Sequence, residues 1–203
     1  IVSAVKSRAA EKGASVLISM VEQPQQCQAA LQALLAQRVE ALLVNVPLDD
    51  PHAEQLKALA SPVPVLFLDV SPSAAVNSLV FNAEQGARLG VEHLLSLGHQ
   101  RIALLSGPES SVSARARLAA WKAALAEAGL EAAAVAYGDW SAACGYEKGH
   151  ALLSAATLPD AILVANDQMA LGVMRACAEK GVTIPGQISI VGFDDTADSA
   201  WFS

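Results

Sequence analysis

The chain has 203 residues, 53% of them hydrophobic and 16% charged, with a formal net charge of −7. So much apolar content with so little charge excludes an intrinsically disordered chain, and no apolar run approaches the ~18–20 residues of a membrane helix. An acidic balance without a basic cluster argues against this segment gripping nucleic acid by itself.

In chain order, Ile1, Val2, Val5 and Ala9 recur at helical spacing and predict a helix over 1–12, stopped by Gly13. Residues 15–20 are a short β-branched run that reads as a buried strand. A helix is predicted over 24–37, with Ala29, Ala30, Leu31, Leu34 and Leu35 on its apolar side, then a strand over 41–44. Proline at the start marks a helix over 51–59. Strands follow over 63–68 and 76–81. From there helices over 83–97, 113–128, 142–153 and 169–179 alternate with strands over 101–105, 133–137, 161–165 and 188–191.

The strands are continuous apolar runs rather than alternating ones, as in parallel sheets covered by helices on both faces. The fold class is therefore α/β, as two doubly wound parallel-sheet lobes: an N-terminal lobe over 1–81 and a C-terminal lobe over 82–203. The chain opens on Ile1 and ends on Trp201-Phe202-Ser203, just past a strand. Both ends read as cut, with a first strand expected upstream of Ile1 and later crossover strands beyond Ser203. Cys27, Cys144 and Cys177 are odd in number, widely spaced and without a C-x-x-C pattern. That suits half-buried free thiols in a reducing compartment better than a disulfide framework.

Ligands of open α/β sheets bind beyond the carboxyl ends of the strands. Those positions carry Asn45, Asp69, Ser106-Gly107 leading to Ser113, Gly138-Asp139-Trp140, Asn166-Asp167-Gln168 and Phe193-Asp194-Asp195. Arg117 lies one helical turn past Ser113. Asn, Asp, Arg and Gln supply paired donors and acceptors for neighbouring sugar hydroxyls, and Trp140 a flat surface for a sugar's C–H face. Singly, an Asn or Asp in such a place is more often a cap or turn residue, and Asp167 and Asp195 read as caps.

Catalysis finds little support. There is no G-x-S-x-G elbow, phosphate loop or G-x-G-x-x-G, and His52, His93, His99 and His150 lack ligand spacing. No catalytic residue, metal or cofactor is expected.

The stretches Leu97-Gly98-His99-Gln100-Arg101-Ile102-Ala103-Leu104-Leu105, Ala165-Asn166-Asp167-Gln168-Met169-Ala170-Leu171-Gly172 and Ile188-Ser189-Ile190-Val191-Gly192-Phe193-Asp194-Asp195 resemble the LacI/GalR family of bacterial sugar-responsive repressors. Pro47-Leu48-Asp49-Asp50, Phe67-Leu68-Asp69-Val70-Ser71, Ser110-Ser111-Val112-Ser113-Ala114-Arg115 and Gly138-Asp139-Trp140-Ser141 resemble its galactoside-responsive members. The resemblance implies a periplasmic-binding-protein-like effector core that binds a β-galactoside between two lobes and thereby releases operator DNA. A headpiece absent from this chain would hold that DNA, in a cytoplasmic protein with no membrane contact.

By matching motif, Asp69, Arg117, Asn166 and Asp194 are the implied hydroxyl partners, Trp140 the stacking platform and Phe81 an apolar wall, with Asn45, Ser113 and Gln168 of second rank. A homodimer is implied through the first helix, the region of Leu171 and Trp201-Phe202, with tetramer formation left open. The competing readings are a periplasmic sugar-binding protein of a transport system, and an α/β enzyme acting on a sugar or sugar phosphate.

Overall fold

A computed structural model describes residues 2–21, 24–197 and 199–201. Ile1 and Phe202, both assigned to the dimer-forming surface, lie outside the described residues. The chain divides into two compact units, Ile1–Val80 and Phe81–Ser203.

In the first unit, helix α1 (Val2–Glu11) buries none of its described side chains. A 3₁₀ turn at Pro24–Gln26 leads into α2 (Cys27–Ala36), so the helix predicted from residue 24 begins in a tighter form. Strand β1 (Leu42–Val44) pairs in parallel with β2 (Val65–Phe67), Val44 standing opposite Phe67. Between them runs α3 (Asp50–Ala60). The Asp49 carboxylate accepts the His52 amide proton at 3.0 Å and caps this helix, and Pro51 occupies its first turn, where a missing N–H costs nothing. Leu31, Leu48, Ala53, Leu56, Phe67 and Val70 form the core of this unit.

Two strand predictions need correction here. Residues 15–20 make no strand, and Leu17, Ile18 and Met20 are exposed. A β-branched run supplies propensity, but a strand also needs a neighbour for its backbone groups, and no described strand lies beside it. The strand over 76–81 shrinks to a single bridge between Ser78 and Phe67. It is closed by Phe67 N–H donating to the Asn77 carbonyl and Leu79 N–H to the Phe67 carbonyl, both at 2.9 Å.

The second unit alternates α4 (Ala83–Ser96), β3 (Ile102–Ser106), α5 (Val112–Glu127), β4 (Ala134–Tyr137), α6 (Ala142–Leu152), β5 (Ala161–Val164), α7 (Asp167–Glu179) and β6 (Ser189–Val191). Its sheet is wholly parallel in the order β4-β3-β5-β6. The chain steps from β3 to β4 in one direction, then crosses back past β3 to β5. Right-handed crossovers in opposite directions put their helices on opposite faces. The helices pair accordingly, α4 with α5 and α6 with α7. Every residue of β3 and β5 is buried, which is why these strands read as unbroken apolar runs. Trp121, Leu125, Leu104 and Leu163 are among the largest side chains sealed in this core.

Helices α6 and α7 meet almost backbone to backbone. A Cβ on Gly172 would overlap the Ala142 carbonyl oxygen and the Tyr146 amide nitrogen, and one on Gly145 would overlap the Met169 backbone. Further along, the Glu179 carboxylate accepts from Tyr146 Oη at 2.6 Å and from Arg175 Nε at 2.8 Å, with His150 Nε2 at 3.3 Å. The Tyr146 and Arg175 hydrogen bonds, opposed by partial burial and helped by His150, lower the Glu179 pKa to about 2. An acid depressed in the folded state stabilises it above the unfolded pKa, and that contribution is lost as pH falls through the folded value. The Tm difference between the wild type and Glu179→Gln should therefore be full at pH 6 and fade between about 4.5 and 2. Thermal melts across that range check it; an unchanging difference would show that the clasp does not report on this ionisation.

Candidate functional site

The switch point of the second sheet lies at β3 and β5, where the crossovers part. The first residue past β5 is Ala165, followed by Asn166. Asn166 is 6% exposed and caps α7, its Oδ1 accepting the Met169 amide proton at 2.9 Å. Its Nδ2 donates to the Trp140 carbonyl at 2.9 Å and to Gln168 Oε1 at 3.1 Å. Trp140, past β4, takes a left-handed backbone with φ +76°. A Cβ on Gly107, past β3, would fall inside the Trp140 indole, so only a bare backbone lets the ring lie there.

Arg117 sits in the second turn of α5, whose N-cap is Ser111. The Ser111 and Ser113 hydroxyls are 3.0 Å apart, which ties Ser113 to the cap. The Arg117 side chain is 12% exposed. Its Nη1 donates to the Ala165 carbonyl, and its Nη2 stands 3.7 Å from Asp194 Oδ1. The guanidinium carbon lies 3.8 Å from the centroid of the Phe193 ring and 5.6 Å from that of Trp140, within cation–π range of both.

Asp194 and Asp195 both adopt positive φ, +108° and +51°, a costly backbone for residues with a Cβ. Asp167 helps hold this loop, its Oδ2 accepting from the Thr196 amide at 2.8 Å and the Ser199 hydroxyl at 3.0 Å. Burial pushes the Asp194 carboxyl up; Arg117 opposes this and the charge of Asp167 adds to it.

In the first unit, Asn45 and Asp69 lie at the carboxyl edge of the β1–β2 pair. Asn45 is exposed, and the Asp69 carbonyl accepts the Leu48 amide proton at 3.3 Å.

The second unit thus gathers Arg117, Trp140, Asn166 and Asp194, with Ser113 and Gln168 at the margin. Phe81, 68% exposed, precedes α4 and no described contact draws it into this cluster. Asn166, not Asp167, caps α7; Asp167 anchors the loop after β6 instead. Sequence reasoning passed over Phe193 as a site residue, although it stands beside Asp194 in the same strand-end loop. Among the described residues, no group of three His, Cys, Asp or Glu could hold a metal ion, and no helix is long and apolar enough to cross a membrane. Cys27, Cys144 and Cys177 are free thiols.

A parallel α/β sheet with polar donors and acceptors gathered at its strand ends is the form of a ligand-binding domain. Residues 91–202 match the family of periplasmic binding protein-like domains. The chain belongs to this family, in the form found in LacI-family proteins.

The chain is 52% identical to the lactose operon repressor of Escherichia coli (strain K12), over all of this chain and 57% of that protein. It is 43% identical to the lactose operon repressor of Klebsiella pneumoniae, over all of this chain and 58% of that protein. It superposes with a TM-score of 0.92 on the crystal structure of a Lac repressor dimer bound to operator and the anti-inducer ONPF. The sequence identity there is 52%, over 98% of this chain and 71% of that one. These relatives are transcriptional repressors, not enzymes, and the chain spans a little over half the length of the two lactose operon repressors.

Proposed function

We propose that this chain is the inducer-binding and dimerisation core of a sugar-responsive transcriptional repressor, and that its effector is a β-galactoside. The observation that carries this reading is the cluster at the switch point. Arg117, Asp194 and Asn166 offer fixed donors and acceptors around the flat face of Trp140, the mixture a small polyhydroxylated ring requires. Asp69 and Asn45, at the carboxyl edge of the β1–β2 pair, carry the same hydroxyl-partner chemistry, and Phe81, Ser113 and Gln168 are the remaining proposed contact residues. The identity to two lactose operon repressors supports the galactoside over other sugars.

In this reading the protein is cytoplasmic and homodimeric, and holds operator DNA through a headpiece outside this chain. Effector contacts that differ between two arrangements of the core shift the equilibrium towards the one that releases the operator. Calorimetry on the intact protein carrying this chain, with methyl β-galactoside, methyl β-glucoside and a pentose, tests it. The expected result is heat with the galactoside at low ligand concentration and operator release in a parallel gel-shift assay. Absence of galactoside binding would overturn the assignment.

A further inference from the structure

Phe193 lies two residues beyond β6, in the loop that also carries Asp194. A Cβ placed on Gly86, one turn into α4, would stand 2.9 Å from Phe193 Cζ and 3.1 Å from Cε2. The tip of the ring therefore rests on bare helix backbone, and any side chain at residue 86 displaces it. The ring centroid is 3.8 Å from the Arg117 guanidinium carbon. Arginine is a long side chain with many rotamers, so its place depends on what its planar head lies against. Here the head has the Phe193 ring below it, the Ala165 carbonyl at Nη1 and Asp194 3.7 Å from Nη2. Two of those three restraints come from one loop, which Asp167 ties to α7 through Thr196 and Ser199.

We infer that Phe193, seated on Gly86, is a positioning residue for Arg117, setting effector affinity through the placement of the guanidinium rather than by touching the sugar. This rests on the function proposed above. An aliphatic residue of similar volume would keep the packing on Gly86 but lose the negative ring face that attracts the cation. Alanine at residue 86 would keep the ring but shift it, and with it the platform under Arg117.

The test is galactoside calorimetry on the intact protein with Phe193→Met, Gly86→Ala, Arg117→Lys and the Phe193→Met/Arg117→Lys pair, each checked for an unchanged thermal midpoint. Phe193→Met and Gly86→Ala should each bind methyl β-galactoside about tenfold more weakly. In the Arg117→Lys background the Phe193→Met loss should largely vanish, since a residue acting through Arg117 has little left to act on. A second readout needs no ligand. The Arg117 Nε–H resonance should carry an aromatic ring-current shift in the wild type, and in Phe193→Met only the smaller contribution of the more distant Trp140 ring should remain.

Binding by Phe193→Met within twofold of the wild type overturns the inference. So does a tenfold loss that persists unchanged beside Arg117→Lys, or an Arg117 resonance without a ring-current shift. A wild type that binds no galactoside removes the proposed function and this inference together, whereas a wild type that binds while Phe193→Met is unimpaired removes the inference alone.

Discussion

Replacing Arg117 by alanine is expected to weaken galactoside binding at least ~100-fold while leaving the protein folded. The Arg117 side chain is 12% exposed, so hydrogen bonds from it to the proposed sugar would meet little competition from water. Charge-assisted hydrogen bonds contribute about 1.5–3 kcal/mol each, and two such bonds account for the factor. Asp194→Ala should have the smaller effect, ~10-fold, because its side chain is 41% exposed. The two are also linked. Removing the Arg117 charge leaves burial and the charge of Asp167 unopposed at Asp194 and pushes its carboxyl further up. Calorimetry at neutral pH, with thermal melts as the control for folding, measures both. If both variants bind as the wild type does, the site is assigned to the wrong residues.

Gly172→Ala is expected to destabilise the fold by about 3 kcal/mol. Alanine usually gains up to ~1 kcal/mol over glycine within a helix, and that gain is overwhelmed here. The new methyl would land on the Ala142 carbonyl oxygen and the Tyr146 amide nitrogen, backbone atoms that no rotamer change can withdraw. Relief requires α6 and α7 to part, and Gly145 against the Met169 backbone opposes that over the same contact. Gly149→Ala makes the informative comparison. Its Cβ would meet the Ala176 Cβ and the Val173 Cα at 3.1 Å, a contact relieved by a shift of a few tenths of an ångström. Its loss should be well below that of Gly172→Ala. Urea denaturation of the two variants checks the order, and equal values would show that the helices separate freely.

Most of the second unit was legible because its physics is local. Residues 102–105 and 161–164 are uninterrupted apolar runs, and they are buried strands at the centre of the sheet. The helices there stop at Gly98, Gly129 and Gly181, all with positive φ, as the C-cap pattern predicts. The first unit was less legible. Residues 15–20 carry the same β-branched signal as a true strand, yet whether such a run pairs depends on a neighbour that composition does not reveal.

The site divides the same way. Reading the first few residues past each strand found Asn166, Trp140 and Asp194, and helical spacing from Ser113 found Arg117. Phe193 stands among the same strand-end residues, but nothing in its place along the chain signals the guanidinium it lies against. Its proposed role comes from a cation on α5, separated from it in the chain by β4, α6, β5, α7 and β6. Asp167 misled for a related reason: adjacent Asn and Asp are equally good caps, and only the hydrogen bonds show that Asn166 took that position.

The close approach of α6 and α7 has a bearing on recognition as well as on stability. Trp140 leads into α6 and Asn166 into α7, and the Asn166 amide bridges to the Trp140 carbonyl. Two of the proposed sugar contacts therefore start from helices that cannot slide past one another. Their spacing is set at folding, before any ligand arrives, so binding does not have to freeze out a floppy pair and forfeits little conformational entropy. On the function proposed above, this cluster would act as a template rather than a grip, telling sugar epimers apart by fixed geometry.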